Sequence, residues 1–190
     1  MKRLLINLCA VFGIALVLGG IGGGTAQAAI PDDVQKLLDT NTCPVCILNE
    51  ANLRAADLQG ANLKIAVLVK ADLVGANLSG ANLMLTDMEQ ANLQGANLAN
   101  TQMNGANLPK ANLAGANLSG AEMTQANLED ADLSGANLEG AIMLSVTLGQ
   151  ANLQNANLKS ANLRGVNRSQ VLFCNTTMPD GAIENRDCPK

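Results

Sequence analysis

The chain reads as an all-β solenoid whose coil turns at four corners, and three observations point there. Every fifth position from Leu53 to Leu163 is Leu or Met, nineteen Leu and four Met in twenty-three repeats. Two residues before each of these stands Ala, with Thr86, Thr101 and Val146 as the exceptions. The residue between them is mostly Asn or Asp, and departures from that pattern recur on a twenty-residue spacing.

A period of five matches neither the period of about 3.6 of a helix nor the period of about 2 of a flat strand. Two inward residues with a polar one between them make a short extended segment, and the other two residues of each repeat have to turn the chain. Gly takes the second of these two places in ten repeats, Gly60, Gly75, Gly80 and Gly95 among them, where a turn needs positive φ. Pro109 takes the first, where its fixed φ suits a turn.

The departures supply the number of corners. They are Ala66-Val67-Leu68, Thr86-Asp87-Met88, Thr101-Gln102-Met103, Ala121-Glu122-Met123, Ala141-Ile142-Met143 and Val146-Thr147-Leu148. Folded on twenty residues, all six fall on two adjacent sides of a square, and the other two sides keep the pattern without exception.

Unbroken Ala-(Asn/Asp)-Leu-x-x repeats, as in Ala76-Asn77-Leu78-Ser79-Gly80-Ala81-Asn82-Leu83, resemble the pentapeptide-repeat family. The resemblance covers about Cys46 to Ile183. It implies a right-handed quadrilateral β-helix of about seven coils of 20 residues, a rod of roughly 34 Å at the usual strand spacing.

Four segments follow in order. Residues 1–28 read as a cleaved signal peptide: Met1-Lys2-Arg3 is basic, Leu4 to Ile21 apolar, and Ala26-Gln27-Ala28 a cleavage site. The glycine runs before that site speak against a retained membrane anchor. Residues 29–45 read as a capping helix and entry turn. Pro31 suits the first helical position and Asp32 and Asp33 the first turn, while Val34, Leu37 and Leu38 are expected on one face. A column of inward side chains needs such a lid. Residues 46–183 read as the β-helix, with Arg168, Phe173, Met178 and Ile183 at the last inward positions. Residues 184–190 form a tail.

Loss of the leader leaves ten basic residues against sixteen acidic ones, a formal charge of −6. That describes an exported, mildly acidic protein of the periplasm or thylakoid lumen, the placement of the members it most resembles. No nucleic-acid partner is expected, and no membrane contact after cleavage. Export permits disulfides. Cys174 points outward by register and Cys188 lies in a tail that has to fold back, so a Cys174–Cys188 bridge is expected. It would close a loop of about fifteen residues and contribute roughly 3 kcal/mol. Cys43 and Cys46 read as structural, either bonded to each other or buried as thiols. A redox Cys-x-x-Cys is disfavoured by the lack of a βαβ setting.

The chain has no His and no phosphate loop, and nothing in it has the spacing of a catalytic or metal set, so neither an enzyme nor a cofactor is expected. Met103, Met123 and Met143 stack one coil apart and read as core filler rather than a thioether site. The surface that stands out is apolar and outward: Ile65, Val67, Val69, Met84 and Leu85 in neighbouring coils, with Ile142 and Leu144 further along. The reading is a non-enzymatic interaction rod, monomeric or weakly oligomeric, that presents this edge to a protein partner or regulates an extracytoplasmic complex by contact. The alternative that the resemblance offers, a DNA mimic that binds gyrase, needs a cytoplasmic protein of stronger negative charge.

Overall fold

The computed structural model describes residues 28–189; the leader, Cys9 included, lies outside them except for Ala28. From Thr42 to Thr177 the chain winds as a coil in which the polar middle residues form parallel bridges to residues twenty positions on. These run from Thr42↔Asn62 through Asn97↔Asn117 to Asn157↔Thr177. The rungs follow one rule. Leu98 N–H donates to the Asn117 carbonyl one coil ahead at 2.7 Å, and Asn97 N–H donates to the Ala76 carbonyl one coil behind at 2.9 Å. Extended segments such as this one are thus held from both sides, and their backbone polar groups near the core find partners.

The core is a column of side chains. The Leu or Met and the Ala of repeat after repeat are fully buried, as in Ala96, Leu98, Ala106, Leu108 and Met123. Each large side chain contributes about 1.5–3 kcal/mol by its burial. Thr86 and Thr101, at Ala positions, bury their hydroxyls by donating to the carbonyls of Leu83 and Leu98.

The corners explain the glycines. The second corner residue has positive φ whether it is Gly80 at +67° or Lys110 at +58°. Gly is therefore preferred there but not required.

The polar middle residues form ladders of their own. Asn77, Asn97, Asn117, Asn137 and Asn157 each donate a carboxamide N–H to the oxygen of the residue one coil behind, and the series ends on Asp57. Asn107 and Asn127 form a second series that ends on Asp87, and Asn152 donates to Asp132. A carboxylate accepts but cannot donate, so these series go no further than Asp57, Asp87 and Asp132, while the pair Asn112 and Asn92 ends without one. Several of the same oxygens also take the N–H two residues on, as Asn117 does from Ser119, and so brace the corner.

Helix α1 (Pro31–Thr40) lies at the N-terminal end. Leu37 is buried in the core column, and Val34 packs against it. Leu38 is 53% exposed, so the expected three-residue apolar face is a pair. Asp33 points back to the coil, where its carboxylate accepts the Ile47 N–H at 2.8 Å, a rung that the coil behind supplies elsewhere.

At the other end the winding stops. Strand β1 (Thr176–Thr177) pairs antiparallel with β2 (Ile183–Glu184), so the chain doubles back instead of starting another coil. Ile183, placed inward by register, is consequently 53% exposed. The last rungs are completed by the returning segment. Asp187 accepts the Phe173 N–H at 2.9 Å, Asn185 accepts the Asn175 N–H at 2.8 Å, and the Ala182 carbonyl accepts the Met178 N–H at 2.7 Å. The Arg186 guanidinium lies 5.1 Å from the centroid of the buried Phe173 ring.

One coil departs from the rule. Arg168 occupies a Leu position, and an unpaired guanidinium cannot be buried among Leu side chains. The segment 167–170 is exposed instead, and the bridge that would join Thr147 to Asn167 is missing from an otherwise continuous column.

Candidate interaction surface

The corner between the two edited walls carries a column of second-corner residues, one per coil: Val45, Ile65, Leu85, Gly105, Gln125 and Ser145. The first three are apolar and face solvent, with 66%, 45% and 55% of their surfaces exposed. Rungs hold them in a stack, Val45 N–H to the Lys64 carbonyl at 3.0 Å and Ile65 N–H to the Met84 carbonyl at 2.9 Å. Val45 and Ile65 sit at φ +63° and +62°. A β-branched side chain is a genuine outlier in that region, at a cost of roughly 1–2 kcal/mol per residue. The same place holds Gly in ten repeats, so the apolar residues are not there for the turn.

Half-buried residues widen the column. Met84 lies beside Leu85, and Val67 and Val69 lie on the next wall, where Val67 bridges to Ile47. The polar ladder of that wall ends at Asp87, so the coils before it offer Val67 and Ile47 in place of carboxamides. Lys64 and Lys70, both exposed, flank the patch. At its far edge Leu85 folds over Gly105, where an added methyl would meet Leu85 Cδ2 at 2.7 Å. A shallow depression of about 400 Å³ opens there between Met84, Leu85, Asn104, Gly105, Thr124 and Gln125.

The structure gathers Ile65, Val67, Val69, Met84 and Leu85 into this patch and leaves Ile142 and Leu144 apart. Ile142 is stacked on Glu122, and Gln102 lies one coil further back, so a polar stretch divides the two groups. Val45 and Ile47 were missed by sequence reasoning, which assigned residue 45 to the entry turn. The signal was available, since counting one coil back from Ile65 lands on Val45.

Two disulfides hold the ends, Cys43 to Cys46 and Cys174 to Cys188. Asp33 stands with Cys43 and Cys46 in a grouping of metal-ligand type. It does not suit a metal: the two sulfurs are joined, which removes both thiolates, and Asp33 is engaged by Ile47. The same pair is buried, so it is not placed for exchange with another protein. Met103, Met123 and Met143 are buried in the core column. Of the acids of the middle coils, Asp132 is taken up by Asn152 and Ser134. Asp187 has its carboxyl held below the usual range, first by the Phe173 N–H and then by Arg186. Among the described residues no helix is long and apolar enough to cross a membrane.

A family pattern described as pentapeptide repeats matches residues 46–84, 85–108, 110–143 and 141–178. Among solved structures the chain is similar to the pentapeptide repeat protein Rfr23 from the cyanobacterium Cyanothece 51142, at 24% identity. That match covers 77% of this chain and 97% of the other, with a TM-score of 0.50. HetL from the cyanobacterium Nostoc sp. strain PCC 7120, a pentapeptide repeat protein involved in heterocyst differentiation regulation, is 30% identical over 75% of this chain and 76% of its own, with a TM-score of 0.35. A pentapeptide repeat protein from the Arabidopsis thaliana thylakoid lumen is 28% identical over 55% and 66%, with a TM-score of 0.27. No curated protein matches by sequence.

Proposed function

This chain belongs to the pentapeptide-repeat family, whose fold is a right-handed β-helix solenoid, and from that premise we propose that it is a non-enzymatic binding rod. In this reading residues 46–183 form about seven coils, with α1 as the lid of one end and residues 184–190 as the tail that closes the other. The rod is exported to the periplasm or thylakoid lumen and docks a protein partner at the apolar corner formed by Val45, Ile65 and Leu85. One observation carries the docking site: β-branched apolar residues stand exposed at positive φ where Gly would remove both the strain and the exposure. Strain kept at a surface position is a mark of function.

Export is supported by the basic and apolar leader and by two disulfides, which persist in oxidising compartments. A corner of three stacked side chains is far smaller than the roughly 1,000 Å² that a stable interface needs. In this reading the rod, monomeric or weakly oligomeric, meets its partner transiently or over additional surface. The apolar character of the corner and the net negative charge of the chain favour a protein over a nucleic-acid partner.

Photo-crosslinking tests the reading. A photoreactive residue at position 65 and another at position 98, which is buried, are compared in the native host. A defined partner captured from position 65, and lost when Val45 and Leu85 are both changed to Ser, is the expected result. The same proteins captured from both positions, or a partner list unchanged by the double substitution, would refute the docking site.

A further inference from the structure

Between residues 146–150 and 166–170 the wall of the coil is open. Three rungs that every earlier coil of this wall forms in full or nearly so are missing together. Leu148 N–H does not reach the Asn167 carbonyl, Gln150 N–H does not reach the Ser169 carbonyl, and Asn167 N–H does not reach the Val146 carbonyl. One coil earlier, Leu128 N–H donates to Thr147 at 2.7 Å and Thr147 N–H donates to Ala126 at 3.0 Å. The opening is pinned at both corners, by Ser145 N–H to Arg164 at 2.9 Å and by Leu172 N–H to Ala151 at 3.0 Å. It is a slit in one wall rather than a frayed end.

Two residues open it. Arg168 stands where the column takes Leu and carries its segment outward. Gly149 turns the corner one place early, with φ +51° there and no positive φ at Gln150. Gly149 also lies against Glu129, where an added methyl would come within 2.8 Å of Cγ, so the altered corner is built around glycine. The result is a cavity of about 250 Å³ lined by backbone and by small or uncharged side chains, Ser145, Thr147, Gly149, Gly165, Asn167 and Ser169 among them.

We infer that this slit is a binding site for an extended peptide segment of another protein, added to residues 146–150 as a parallel strand. The lip at 146–150 offers an acceptor at Val146 and donors at Leu148 and Gln150, the alternation that a strand edge presents to an incoming strand. Strand addition draws its affinity from those main-chain bonds. The absence of charge from the lining excludes recognition by ion pairing. The chain's own residues 166–170 would complete the same rungs but are kept away by the guanidinium of Arg168. The site is independent of the apolar corner, and either can stand without the other.

The test uses the full chain labelled for NMR and an end-blocked synthetic peptide, Gly-Ala-Asn-Leu-Ser-Gly, which copies residues 75–80. Saturating peptide is expected to shift the amide signals of Leu148 and Gln150 and to slow their hydrogen exchange at least tenfold, with the Leu128 amide unchanged. A peptide methylated on the backbone nitrogen of its Asn loses the rung to Val146 and is expected to bind at least tenfold more weakly. In Arg168→Leu the chain's own segment closes the slit, and binding is expected to vanish. Should that variant fail to fold, the methylated peptide still decides. Exchange at Leu148 and Gln150 that is unaffected by peptide would show a water-filled gap only and overturn the inference. Equal binding of both peptides, or binding that survives Arg168→Leu in a folded protein, would overturn it as well.

Discussion

On the wall built around Leu58, Leu78 and Leu98, the carboxamides from Asn77 to Asn157 form one unbroken series and every rung is closed. On the wall built around Leu108, Leu128 and Leu148, the carboxamide series ends at Asp87, apolar residues replace it in earlier coils, and the backbone ladder opens beyond Leu148. Both walls start from the same five-residue unit. The difference teaches that the unit sets the coil, while single departures decide what each wall can do besides. An outward departure such as Val67 changes only the surface. An inward departure such as Arg168 moves the backbone.

The largest effect is expected from moving the inward departure onto the regular wall. Leu98→Arg places a guanidinium in a segment held on both sides by rungs to Asn117 and Ala76, with no free end to swing out. Burial of an unpaired charge there is expected to cost roughly 3–5 kcal/mol, read as a fall in the urea midpoint. The native Arg168 is tolerated because its coil is the last before the hairpin.

Next in size is the clasp. Replacement of both Cys174 and Cys188 by Ser is expected to cost roughly 3 kcal/mol in the chain-entropy model. Limited proteolysis should then cut the tail while the coils at Leu98 remain protected. A tail equally resistant in both proteins would show that Asp187 and Asn185 suffice to hold it. Arg168→Leu runs in the opposite sense. It restores the column, closes the slit and is expected to stabilise by about 1.5–3 kcal/mol, seen as a higher Tm.

Smaller still is the carboxamide series. Asn97→Asp removes the donor to Asn77 and sets a carboxylate against its oxygen, which are 3.1 Å apart in the native pair. A loss of about 1 kcal/mol is expected. Asp57→Asn, at the end of the series, should be near neutral, because Asn77 keeps its acceptor. Acid supplies the smallest change. The Phe173 N–H and Arg186 hold the folded pKa of Asp187 below the ordinary carboxylate range, so its contribution is complete above that range and is lost as pH falls through the lower folded value. In a pH titration followed by NMR, the Phe173 amide signal is expected to hold until the pH falls below the ordinary carboxylate range and to move only as Asp187 takes up its proton.

Much of this is legible in the amino-acid sequence. Inward Leu and Ala, polar middle residues and turning corners follow from the five-residue period, and the four sides from where the departures fall. The slit was not legible, for a physical reason. Register placed Arg168 inward, and a charged residue at an inward position can bury, distort its neighbours or leave; only the pinning of adjacent coils decides which. Gly149, one place early, was a visible trace of the altered corner. Ile183 was misplaced because a register count cannot see that Pro179-Asp180-Gly181 ends the winding in a hairpin, with Gly181 at φ +86°. Of the candidate surface, the cluster around Ile65 and Leu85 was legible. The separation of Ile142 was not, since the intervening Gln102 and Glu122 break the patch only once coils are stacked.

Amide hydrogen exchange at Leu108, Leu128 and Leu148 in the same molecule tests the contrast between closed and open wall most directly. These three residues occupy the same place in successive coils, so propensity, solvent and burial of the side chain are matched. Leu108 and Leu128 are expected to be protected by their rungs to Asn127 and Thr147, and Leu148 to exchange orders of magnitude faster. Equal protection at all three would mean that the ladder continues past Leu148, and would contradict both the ejection of the Arg168 segment and the site inferred from it.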